Sequence, residues 1–321
     1  TWMRLFDLHC DTLGLGYYAG EGIGRNSGCV SLAEGDGLER WVQTFAAFIP
    51  EDAADPAAVC FGLLDTAERW ERESPTEFSV LRHGLPDEAA AICEAILSVE
   101  NGGMLADTPD AVDRLADHGV QVLSLTWNGD NDWASGCMGD ADRGLTDRGR
   151  AALRRMDARR ILPDVSHLNE RGFWELLEQT DQPVLATHSD AATVCPHRRN
   201  LTDDQFRAIV RTGGLVGLNL YAPHLGCGEG EDLTAAFAVH WRHFLELGGE
   251  GTVCLGSDFD GMPRPSVGGV SGLPQLYVRL RGMGFDRPLL DGLFFENARR
   301  FFTTRQTETS DKTTGIQPPS G

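Results

Sequence analysis

Eight short apolar runs, separated by longer stretches that include six of helical period, constrain this chain more than any other feature. The runs are Arg4–His9, Val42–Phe48, Ala95–Glu100, Val120–Trp127, Leu162–His167, Val184–His188, Gly214–Leu220 and Val253–Asp258. They are rich in β-branched residues and almost continuously apolar, as strands of a parallel sheet covered on both faces must be. Helical periods fall at Pro56–Arg72, Pro109–His118, Asp147–Arg160, Glu170–Gln179, Asp203–Thr212 and Leu233–Leu247. Several helix starts carry capping chemistry. Thr108-Pro109 reads as N-cap and first helical residue, Asn169 as the cap after His167, and Thr202-Asp203-Asp204-Gln205 as a capping box. Strand–helix repetition predicts an α/β fold. Eight strands favour a closed (β/α)8 TIM-type barrel, one domain over residues 1–303, above an open doubly wound sheet. No Gly-x-Gly-x-x-Gly follows the first run, which also disfavours the open sheet.

The remaining stretches are less regular. Gly14–Gly28 is glycine-rich and reads as a loop, without the Lys-Ser/Thr ending of a phosphate-binding loop. Leu289–Phe302 reads as a closing helix. Residues 304–321 are poor in apolar side chains and are expected to form a disordered polar tail.

Composition narrows the partners. A formal charge of −20 argues against nucleic acid or an anionic membrane, both of which need a basic face. The eight cysteines show no Cys-x2-Cys or Cys-x4-Cys spacing, so no zinc ribbon is present. Their scatter through apolar runs suits buried free thiols in a reducing compartment, and a cytoplasmic location is expected. No charged-then-apolar leader opens the sequence, and no 18-residue apolar run is available for a membrane span.

The chemistry collects at the ends of the runs. In a strand, residues i and i+2 share a face, so His9 and Asp11 point together and Cys10 points away. Glu100, His167, His188 and Asp258 each end a further run. In a barrel these ends converge on one mouth, where active sites lie. Singly, each residue has a plain explanation: His188 as a satisfied core histidine, Glu100 as a cap or surface charge. Together they are a costly set of ionisable groups unless paired or metal-bound. Three histidines and three carboxylates suit zinc or a similar first-row metal, not calcium. They suffice for two ions if one carboxylate bridges, and two ions can acidify a shared water. The only lysine is Lys312, so a carboxylated-lysine bridge is ruled out for the barrel, and Glu100 is the candidate bridge.

These residues carry a resemblance. His9-x-Asp11, Glu100-Asn101-Gly102-Gly103, Asp164-Val165-Ser166-His167, Thr187-His188-Ser189, His197-Arg198-Arg199-Asn200-Leu201-Thr202-Asp203-Asp204 and Gly256-Ser257-Asp258-Phe259-Asp260-Gly261 resemble, in order, the motifs of the membrane (renal) dipeptidase family of the amidohydrolase superfamily. The resemblance implies a zinc-dependent dipeptidase with two zinc ions. His9, Asp11 and Glu100 would hold one, and Glu100, His167 and His188 the other. It implies hydrolysis of dipeptides, often with a D-residue tolerated at the C-terminal position, by attack of a metal-bridging hydroxide. Arg199 matches the arginine that grips the substrate carboxylate, where a planar fork is apt. Asp258 matches the acid/base residue. Asn128 and Tyr221 are further candidate substrate contacts.

One departure stands out. Leu125-Thr126-Trp127-Asn128 occupies a place where well-known members have Leu-Thr-His. An indole offers only an N–H donor, so Trp127 cannot act as acid or ligand, and Asn128 is the candidate stand-in. Nothing in the sequence supports the lipid anchor or disulfide linkage of the animal enzymes. Two other readings are a related amidohydrolase acting on N-acyl amino acids or lactones, and a non-catalytic metal-binding barrel. A small-molecule dipeptide is the expected partner, and family habit with the frequency of twofold dimers points to a homodimer. His83, His118, His240 and His243 read as surface or packing residues, as do Trp70 and Trp241 for packing. His197 and His224 fall in loops after strands, and Asp260 reads as a turn cap or a support to the site.

Overall fold

The computed structural model describes residues 3–228 and 230–313. Nine parallel strands form one sheet: β1 (Arg4–Cys10), β2 (Arg40–Phe48), β3 (Phe78–Leu81), β4 (Cys93–Glu100), β5 (Val120–Ser124), β6 (Leu162–Asp164), β7 (Leu185–Ala186), β8 (Leu215–Leu218) and β9 (Val253–Leu255). Neighbours run β2-β1-β9-β8-β7-β6-β5-β4, and β2 pairs with β4 to close an eight-stranded barrel. All eight anticipated runs supply its staves. The unanticipated β3 pairs with the first half of β4, while β5 takes the second half. Gln121 ties the two together, donating to the Leu81 carbonyl at 2.7 Å and accepting from Gly84 N–H at 3.1 Å. Four residues are too short a run to stand out by periodicity.

The barrel interior holds Phe6, Leu8, Val42, Ile96, Val122, Leu162, Leu185, Leu215 and Cys254, one cluster with Phe295, Ala298 and Phe302. Phe302 stacks on Phe6 with ring centroids 5.3 Å apart. The closing segment therefore plugs the N-terminal end of the barrel. It is a broken helix: Arg287–Asp291, a π turn at Gly292–Glu296, then Asn297–Thr313. The helix thus runs into the stretch expected to be a tail, and 314–321 lie outside the described residues.

Side-chain caps explain five of the helix starts. Asn169 accepts from Gly172 N–H, and the Thr202/Gln205 capping box is complete. Thr108 is no cap; that helix starts at Ala111 after Asp110, which has a left-handed backbone. The glycine-rich stretch is also not all loop, since Leu13–Ala19 is helical. Its Gly16 sits where a Cβ would come within 2.4 Å of Thr66 and 2.6 Å of Trp70, so glycine here permits close packing on the helix Pro56–Glu73. Trp70, Trp241 and His240 are buried, and all eight cysteines are free thiols. Among the described residues no helix is long and apolar enough to cross a membrane.

Candidate active site

Two local devices aim the side chains of the mouth. On β4 the pleat alternates without interruption: Cys93, Ala95, Leu97 and Val99 join the outer core, so Glu94, Ile96, Ser98 and Glu100 face inward. Glu100 is the topmost of these. On β1 the same alternation would fail, because Phe6 and Leu8 already face inward and His9 would point out. A bulge between Asp7 and Cys10, where Cys10 pairs with Phe45 after Asp7 pairs with Gln43, turns His9 into the barrel. Asp7 braces the bulge from outside. It accepts from Gln43 Nε2 at 2.8 Å, Ser257 N–H at 2.8 Å and Ser257 Oγ at 2.5 Å. The second device is left-handed backbone: His167 (φ 70°), Asp258 (φ 61°) and Asp260 (φ 66°) are all at the mouth. Each such conformation costs roughly 1–2 kcal/mol for a residue with a Cβ, and strain of this kind gathers at functional sites.

The structure brings His9, Asp11, Glu100, His167, His188 and Asp258 to one point. His9 Nε2 lies 3.2 Å from Asp11 Oδ2, 3.6 Å from Glu100 Oε2 and 3.8 Å from Asp258 Oδ1. Glu100 Oε1 faces the other way, 2.8 Å from His167 Nε2 and 3.6 Å from His188 Nε2. The carboxylate of Glu100 thus stands between two ligand groups, one oxygen to each. Asp11 Oδ1 is buried with no hydrogen-bond partner.

The tautomers of two histidines follow from their neighbours. His188 Nδ1 is 2.9 Å from Thr187 Oγ1, and that hydroxyl spends its own hydrogen on Asp164 Oδ2 at 2.6 Å. His188 Nδ1 must therefore donate. His167 Nδ1 lies 2.9 Å from Asn128 Oδ1 and donates as well. Both Nε2 atoms are then lone pairs. They face one another at 3.0 Å and share Glu100 Oε1. Three acceptors with no hydrogen between them need a cation, so the donor set fits a metal ion. Groups of ligand atoms close enough to share an ion are His9, Glu100 and His188, and His9, Asp11 and Asp258.

Electrostatics agree. Burial drives His167 and His188 well below the imidazole range, with Arg199 and protonated His9 adding to it, so both stay neutral. Burial would lower His9 too, but Asp11, Glu100 and Asp258 carry it up to about 10. Burial pushes Asp11 and Glu100 up, partly opposed by His9. Asp258 is raised to about 7 by burial, with His9 opposing and Asp11 and Glu100 assisting.

A cavity of about 460 Å³ opens over this point. Arg199 lines it, only 5% exposed, with Nη2 donating to the His188 carbonyl at 3.0 Å. Its Nε has no partner, and among the described residues no carboxylate pairs with it. Asn128, Tyr221, His197, His224 and Trp127 also line the cavity. Asn128 has a use the sequence did not suggest, since its oxygen orients His167. Three other supports were missed: Asp7, Thr187 and Asn219. Asn219 donates to Asp258 Oδ2 at 3.1 Å and accepts from Tyr221 N–H at 2.7 Å. The available signal was a polar residue inside an apolar run, as at Asp7 and Asn219. Asp260 accepts from Thr12 Oγ1 at 2.6 Å and Cys29 N–H at 2.7 Å, clipping the Gly28–Cys29 turn to the mouth.

An uncharacterized protein encoded 5′ of pqqA in Klebsiella pneumoniae is 39% identical over 189 residues, 56% of this chain and 70% of that protein. The solved structure of the dipeptidase AC, a metallopeptidase of family M19, superposes with a TM-score of 0.86 at 28% identity, covering 95% of this chain and 99% of that one. A metallopeptidase from Rhodobacter sphaeroides, liganded with a phosphinate mimic of L-Ala-D-Ala, gives 0.85 at 29% identity, covering 95% of this chain and 100% of that one. The membrane dipeptidase family, peptidase family M19, matches residues 30–315. With its closed barrel and its cluster of metal-ligand side chains at the mouth, the chain belongs to the membrane dipeptidase family, peptidase family M19.

Proposed function

We propose that the chain hydrolyses the peptide bond of dipeptides, L-Xaa-L-Xaa or L-Xaa-D-Xaa, with two zinc ions held by His9, Asp11 and Glu100 on one side and Glu100, His167 and His188 on the other. The observation that carries this is the opposed, hydrogen-free acceptor set of His167, His188 and Glu100, with the two oxygens of Glu100 turned to different ligand groups. When bound, the metal pair supplies a Lewis acid for the scissile carbonyl and lowers the pKa of a shared water. Asp258 takes the proton from the attacking water and returns it to the leaving amine. Asn219 holds the outer oxygen of Asp258, leaving Oδ1 toward the centre. Arg199 receives the substrate's C-terminal carboxylate, a partner its burial otherwise lacks, and so sets substrate length. The D-Ala end of the ligand in the Rhodobacter sphaeroides relative supports a D-residue at that end here. Eight free thiols support a reducing compartment, the cytoplasm, as the place of work.

The test is release of amino acids from L,L and L,D dipeptides by zinc-loaded protein, beside a chelator-treated sample and C-amidated substrates. Cleavage that needs metal and slows at least about tenfold on amidation supports the reading. Bound zinc with no cleavage of any dipeptide would remove it and turn attention to other amides or lactones.

A further inference from the structure

The cavity has two unlike walls. One carries Arg199 and His197 from the loop after β7, and Tyr221 and His224 from the short helix and its cap after β8. The other is built by Tyr18 from the helix after β1, Ala46 and Phe48 of β2, Leu63 and, beside them, Trp127 after β5. The barrel order puts β2 four staves from β7, directly across the mouth. Glu100, Asp11 and Asp258 lie between the walls. Apart from the phenol of Tyr18, this second group holds no ionisable side chain. Phe48 and Trp127 meet edge to face, 5.3 Å between centroids at 63°. Tyr18 is 64% exposed and Met138 45% exposed at the rim, so a broad apolar surface faces the opening.

From this juxtaposition we infer that the enzyme selects dipeptides with a large apolar amino-terminal residue, aromatic above all, and that Phe48, Trp127 and Tyr18 set the choice. The inference rests on the dipeptidase reading and deepens it. A dipeptide held by its carboxylate at Arg199, with its scissile bond over Glu100 and Asp258, extends its amino-terminal side chain to the opposite wall. A ring there adds to an existing edge-to-face pair and covers exposed apolar area. A Lys, Asp or Glu side chain there loses water against Ala46, Phe48, Leu63 and Trp127, none of which offers an ion-pair partner.

The test measures kcat/KM of the zinc-loaded full chain on L-Xaa-L-Ala with Xaa as Phe, Leu, Ala, Asp and Lys. Phe and Leu are expected to exceed Asp and Lys by at least about tenfold, the scale on which apolar pockets discriminate. Phe48→Ser and Trp127→Ala should each narrow the Phe-to-Lys ratio severalfold, a ratio that a general loss of folded enzyme does not move. Calorimetric binding of reduced-bond analogues of Phe-Ala and Lys-Ala to the same protein should rank them in the same order. Robust turnover with a flat or reversed series, or an unchanged ratio in both variants, overturns this inference and leaves the dipeptidase reading standing. No turnover of any member overturns both.

Discussion

His167 and His188 aim their Nε2 atoms at each other across 3.0 Å, each with its Nδ1 hydrogen spent on a neighbour. The neighbours, Asn128 and Thr187, therefore decide which nitrogen is free for metal. Thr187→Val removes the acceptor of His188 while keeping the shape. Metal affinity is expected to fall about 10–100-fold, the usual effect of losing an outer partner of a ligating histidine. Competition with a chromophoric chelator measures it, and unchanged affinity would mean that Thr187 does not set the tautomer.

Gly261 brings backbone against the site. A Cβ there would lie 2.2 Å from Asp11 Oδ2 and 2.7 Å from Asp258 Oδ1. Both are tips of side chains that can swing away, so Gly261→Ala should fold. The swing spoils the carboxylate geometry, and activity should drop by at least about tenfold together with metal occupancy. Circular dichroism with metal analysis separates this from misfolding.

Asp258→Asn keeps size and one acceptor but removes the proton carrier. Turnover is expected to fall by about 10²–10⁴-fold, the range for a general acid–base group. Metal content should be retained. Full activity would take Asp258 out of the mechanism.

Arg199→Met leaves the cavity lined but without a cation. On free dipeptides kcat/KM should fall about 10–100-fold, the worth of a charge-assisted hydrogen bond. Slow cleavage of C-amidated dipeptides should barely change. Equal losses on both substrates would place Arg199 elsewhere in the chemistry.

His240 predicts an acid sensitivity away from the metal ligands. Its Nδ1 accepts from Ala191 N–H at 3.0 Å and its Nε2 reaches the Leu225 carbonyl at 3.2 Å, so it is folded in neutral form. Burial lowers it from 6.5 to about 4, the Leu225 bond opposing and His243 assisting. The unfolded chain takes up this proton first as pH falls. The stabilisation is thus complete above about 6.5 and is lost progressively down to about 4. Its size is on the order of 3 kcal/mol. Urea unfolding at pH 7 and 4.5 should show a smaller pH difference for His240→Asn than for the natural chain. An equal difference would mean that other groups carry the acid sensitivity.

The barrel was legible because buried parallel strands must be apolar along their length, and eight such runs leave few other closures. Glu100 was legible too, since the uninterrupted alternation of β4 is written in its residues. His9 and Asp11 were legible as a pair, but their direction was not: Phe6 and Leu8 put the pleat in the opposite phase, and only the bulge, braced where Asp7 meets Gln43 of β2 and Ser257 after β9, reverses it. The same holds for His167 and Asp258, whose left-handed backbones no strand pattern announces. Asn128 and Asn219 each act on a residue 39 positions away, and Thr187 is set against His188 by Asp164, 23 positions away. Local propensity and period carry no record of such partners. The sequence determined by itself which side chains reach the mouth, because strand polarity and barrel closure are local and topological consequences of apolar pattern. Only the tertiary structure decided which atoms of those side chains face one another, because that depends on hydrogen bonds and strain between distant segments.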